Sequence, residues 1–116
     1  MVAKLAQLGF QRGLVKGWTA YATPVVEASA VGLVFRTGAG AHGFFAFMKT
    51  KSLKPVVALG DEGVRAVFKD EAVYLWRIGN LVLTADIDCS DGPCRFDVGA
   101  ATRAYVNAIN RRAARV

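Results

Sequence analysis

The sequence predicts one α+β domain: an antiparallel β-meander, as an open sheet or a partly closed barrel, flanked by an N-terminal helix and a C-terminal helix. Three observations lead there. The chain has 116 residues, 53% of them hydrophobic, which is enough for one core but not two. From residue 31 the apolar period moves toward two, with turn signals between short runs. Both ends instead carry apolar residues at three- and four-residue steps. Strands in the middle with a helix at each end give a sheet covered by helices.

Residues 2–22 read as the N-terminal helix. Val2, Leu5, Leu8, Val15 and Trp18 recur at helical steps, and Pro24 marks the end. Gly9, Gly13 and Gly17 stand four apart, on one side of that helix. Three helical glycines in register suggest close approach by another backbone; the competing reading is a helix that glycine weakens.

The sheet is expected over 31–98. Val31, Leu33 and Phe35 alternate with other residues, and the aromatic run Phe44–Met48 favours strand. Pro55–Leu59, Val64–Lys69 and Ala72–Ile78 follow as strand candidates. Gly79-Asn80 between apolar runs is a two-residue hairpin signal. Leu81, Leu83, Ala85, Ile87 and Cys89 then alternate as a half-buried strand, and Cys94–Val98 forms a short last one. The C-terminal helix is expected over 99–114, capped by Asp97, with Ala101, Tyr105, Ala108 and Ile109 as its apolar stripe.

The net charge of +6 is unevenly spread. Residues 1–60 carry seven bases and one acid, 61–97 four bases and eight acids, and 98–116 four arginines and no acid. Either the basic and acidic segments pair with each other, which weighs more, or they form opposite faces. Glu27 and Pro24 interrupt the best apolar window, so no transmembrane span is expected. Polar residues break the N-terminal stretch, giving no secretory signal and favouring an intracellular location.

Several motifs compete with plainer readings. Gly38, Gly40 and Gly43, with His42 between them, match G-x-G-x-x-G, the pattern that lets a pyrophosphate approach a helix N-terminus. The following Phe44-Phe45 is a poor helix start, so a glycine-rich hairpin loop is the stronger reading and a small-ligand or nucleotide loop the weaker. Asp86, Asp88, Ser90 and Asp97 fit a calcium-loop count, but glycine is missing at its sixth position, so no metal is expected. Cys89 and Cys94 face each other across a four-residue turn and can close a disulfide or stay as buried thiols. In that hairpin Ile87, Cys89, Cys94 and Phe96 share the buried face.

With His42 the lone histidine, no nucleophile–base–orienter set assembles, so the reading leans away from an enzyme and includes no cofactor. The leading expectation is a non-catalytic protein–protein interaction module, either a homodimer or a small accessory subunit of a larger assembly. Its contact surface is expected at Gly9, Gly13, Gly17 and Trp18. The alternative is nucleic-acid binding through Lys49, Lys51 and Lys54, beside Phe44, Phe45 and Phe47, together with Arg111, Arg112 and Arg115.

Overall fold

A computed structural model describes residues 1–20, 25–90 and 92–113. The chain order is α1 (Val2–Gln7), β1 (Phe10–Ala20), β2 (Val26–Phe35), α2 (Gly38–Met48), β3 (Lys54–Pro55), β4 (Glu62–Val67), β5 (Glu71–Ile78), β6 (Leu81–Cys89) and α3 (Val98–Ala113). All strand pairs are antiparallel, and the sheet runs β1-β2-β6-β5-β4-β3. The α+β class therefore holds. The sheet is open rather than barrel-like, with β1 and β3 at its edges.

The expected helix over 2–22 is corrected. Only Val2–Gln7 is helical, and Phe10–Ala20 forms an edge strand; residues 21–24, Pro24 included, lie outside the described residues. Gly9 turns the chain between the two at φ +82, a conformation that glycine adopts without steric cost. Gly13 and Gly17 do share a side, but of a strand, opposite Leu33 and Ser29 of β2. A four-residue step returns to the same face in a strand as well as in a helix.

Gly38–Met48 is a helix, not a glycine-rich loop followed by a strand. The Thr37 side chain caps it, accepting a hydrogen bond from the Gly40 N–H at 3.0 Å. Pro55–Leu59 is mostly turn, with only Lys54–Pro55 paired and Leu59 buried beside Trp76. The β5–β6 hairpin turns at Gly79-Asn80 as expected, with Ile78 opposite Leu81 and Gly79 at φ +57.

Two helices cover the two faces of the sheet. Alternate residues divide between them: Leu33, Leu75 and Val82 pack with Phe35, Phe44 and Phe45 under α2. Tyr74, Trp76, Leu83 and Ala85 pack with Val106 under α3. Val82 and Leu83 are therefore both buried, although the period-two pattern places only one of them inside. On α3 the buried line is Val98, Thr102 and Val106, one step from the expected stripe. Asp97 caps this helix, its Oδ1 accepting the Ala100 N–H at 3.0 Å.

Cys89 and Cys94 form a disulfide, with Cα atoms 5.4 Å apart. Cys94–Val98 is not a strand, however. Cys94 is held by its N–H donating to the Lys69 carbonyl (2.9 Å), and Phe96 is exposed rather than buried. The bridge thus ties the end of β6 to the segment leading into α3.

Candidate functional site

β1 is an eleven-residue strand bonded to β2 on one side, with no strand partner on the other among the described residues. Leu14 is 80% exposed, Val15 77% and Trp18 47%. Leu14 and Trp18 point to the α3 face and Val15 to the α2 face, because successive side chains of a strand alternate. A long apolar edge with unpaired N–H and C=O groups is a template for another strand. The partner-binding residues proposed from the sequence separate here: Gly13, Gly17 and Trp18 lie on this edge, whereas Gly9 is the turn before it.

The α3 face of β1 continues into a trough of about 790 Å³. Ala30, Gly32, Leu81 and Leu83 form its floor, and Tyr105 and Ile109 of α3 form a wall. Trp18 closes one end by standing edge-on to Tyr105, their centroids 4.9 Å apart. Burial, and after it the charge of Asp86, pushes the Tyr105 phenol above its usual range. Its hydroxyl is buried without a hydrogen-bond partner among the described residues. Arg12, Lys16 and Arg112 border the trough, and among the described residues no acid lines it.

The opposite face at this end of the sheet is acidic. Glu27 pairs in register with Asp88, Asp88 with Glu71, and Ser29 with Asp86, to which the Ser29 hydroxyl donates. Burial first, then Asp86, Asp88 and Asp70, raises the Glu71 carboxyl above the ordinary value. Charges of opposite sign therefore sit on opposite faces here, rather than pairing as the sequence reading weighted more heavily. Among the described residues no three His, Cys, Asp or Glu side chains are placed to hold a metal. In the calcium-loop count, Asp91 lies outside the described residues and Asp97 is spent as a helix cap.

The glycine motif is used for packing. A Cβ at Gly40 would stand 2.1 Å from the Leu8 carbonyl oxygen, and one at Gly43 2.9 Å from Leu8 Cδ2. The motif thus admits the end of α1 onto α2. Gly38 and His42 of the same motif are exposed. His42 Nδ1 donates to Glu62 Oε2 at 2.6 Å. Arg77 Nε donates to the same oxygen at 2.6 Å, and Asp61 Oδ2 accepts from both Arg77 and the Gly79 N–H. This pins the β5–β6 turn to the start of β4.

Burial raises the Glu62 carboxyl, but hydrogen bonds and charge from His42 and Arg77 outweigh it and hold it below the ordinary range. A carboxyl lowered by folding stabilises the protein above its unfolded-state value. That stabilisation disappears as pH falls through the lower folded value. Acid titration of thermal stability should therefore show a loss below pH ~4.5 that Glu62→Gln removes. An unchanged acid limb in the variant would exclude this network as its source.

The nucleic-acid residues do not form one footprint. Lys49 and Lys51 are exposed between α2 and β3, and Lys54, also exposed, begins β3, the edge opposite β1. Arg111 and Arg112 stand in the last turn of α3, where Arg112 borders the trough beside the β1 edge, and Arg115 lies outside the described residues. Phe44 and Phe45 are core; of the three phenylalanines only Phe47 is exposed. Among the described residues no helix is long and apolar enough to cross a membrane. Comparison with family models, curated proteins and solved structures returns no match.

Proposed function

We propose that the domain is a non-catalytic interaction module that self-associates by pairing β1 with β1 of a second copy. The observation that carries this is the eleven-residue edge, without an outer strand partner among the described residues, with Leu14, Val15 and Trp18 exposed. A two-fold pairing centred on Val15 would set Arg12 opposite Trp18, Gly13 opposite Gly17 and Leu14 opposite Lys16. No like charges then face each other directly, and Arg12 gains an aromatic face. A centre at Leu14 would instead place Arg12 against Lys16. Charge patterning thus supports one register, and adding strands to an edge is a common way for sheets to bind.

Light scattering after size-exclusion chromatography tests this. The parent should run as a dimer. Val15→Lys brings two ammonium groups together at the symmetry centre and should run as a monomer. Its melting temperature, measured where both proteins are monomeric, should stay close to the parent's because Val15 is exposed within one copy, where substitutions cost within about ±0.5 kcal/mol. A monomeric parent, or a variant that still dimerises, would overturn the proposal.

A further inference from the structure

We infer that the trough between β1, β2, β6 and α3 is a binding site for a long-chain fatty carboxylate. This uses the α3-face side chains of β1, whereas strand pairing uses its outward N–H and C=O groups; Arg12, Lys16 and Trp18 also face the second copy in the proposed register. The volume of about 790 Å³ lies within the range of small-molecule sites, ~300–1,000 Å³. The floor is apolar and low: Gly32 and Ala30 leave room above Leu81 and Leu83, and Ile109 supplies an apolar wall.

The charge around this floor specifies the ligand's head. Arg12, Lys16 and Arg112 stand at the trough, with no Asp or Glu lining it among the described residues. No described hydrogen bond or salt bridge uses the side chains of Arg12, Lys16 or Arg112. Lys16 is placed over the Trp18 ring, 5.6 Å from its centroid. An apolar chain lying on the floor of Ala30, Gly32, Leu81 and Leu83 would therefore leave its carboxylate within a cationic border. Arginine suits this role, because its planar fork matches a carboxylate in two hydrogen bonds. A cationic or neutral amphiphile would fill the same floor but leave those charges uncompensated.

Calorimetric titration of the full chain with monomeric oleate tests the assignment. Oleyl alcohol, butyrate and phosphatidylglycerol vesicles serve as separate arms. Oleate should bind once per trough, and the alcohol about tenfold or more weaker, the worth of charge-assisted hydrogen bonds. Butyrate should show no measurable binding, since each buried methylene contributes about 0.8 kcal/mol. The double variant Arg12→Glu/Arg112→Glu should lose about tenfold or more in oleate affinity. Both positions are exposed, so its melting temperature should hold. The assignment is overturned by a parent that does not take up oleate, or by alcohol or butyrate binding as well as oleate. Undiminished binding by the double variant, or binding to vesicles without uptake of monomeric oleate, would also overturn it.

Discussion

Gly40→Ala should destabilise the protein by about 1–3 kcal/mol, the usual cost of overpacking a close contact. Helix propensity alone points the other way, since alanine is favoured over glycine by about 1 kcal/mol within a helix. The sign therefore separates two roles for this glycine. Gly40 is buried in the first turn of α2, and the Leu8 carbonyl passes over it where a Cβ would stand 2.1 Å from the oxygen. Backbone must move to admit the methyl. Leu8 also packs against the core beneath α2, and Gly9 O accepts the Arg36 N–H at 2.8 Å, so the displacement reaches the start of β1. Urea denaturation measures the loss, and amide exchange over Val2–Gln7 should accelerate most. A gain in stability would show that the close approach of Leu8 is not a constraint.

Trp76→Ala should cost about 3–5 kcal/mol, the range for emptying an aromatic site in a core. Trp76 is fully buried in β5, packed among Leu59, Leu83 and Val106. Its Nε1–H donates to Asn110 Oδ1 of α3 at 3.1 Å. The substitution leaves a cavity and removes one of the bonds that set α3 on the sheet. Domains of this size are stable by only ~5–15 kcal/mol, so the variant should be partly unfolded near its working temperature. Because α3 walls the trough, oleate binding should fall with it. A loss below ~1 kcal/mol would contradict the central place of Trp76 in this core.

Local signals in the sequence identified the parts of the fold they control. Gly79-Asn80 and the alternation from Leu81 to Cys89 located the β5–β6 hairpin, because both turn chemistry and strand period are local. Asp97 marked the start of α3 for the same reason. The N-terminal misreading has a definite cause. The four-residue glycine spacing is common to both periodicities, and Val2, Leu5 and Leu8 are helical only as far as the Gly9 turn. Phe44 and Phe45 looked like strand residues because aromatics favour strands, yet the Thr37 cap and the glycine packing against Leu8 set a helix there.

The candidate surfaces were only partly legible. Gly13, Gly17 and Trp18 were singled out as contact residues, but the helical reading concealed that they lie on an unpaired sheet edge. The trough joins residues 12–18 and 30–34 to 81–83 and 105–113, so no spacing rule links Arg12 with Arg112. That juxtaposition follows from the sheet order β1-β2-β6 and from α3 crossing β5 and β6.

Amide hydrogen exchange across Phe10–Ala20 at increasing protein concentration tests strand pairing most directly. In a single copy, alternate amides of β1 bond to β2 and the others face solvent. Pairing with a second copy should slow the outward set as concentration rises, with the strongest effect around Val15. Fast exchange of those amides at every concentration, while the β2-facing set stays protected, would contradict it.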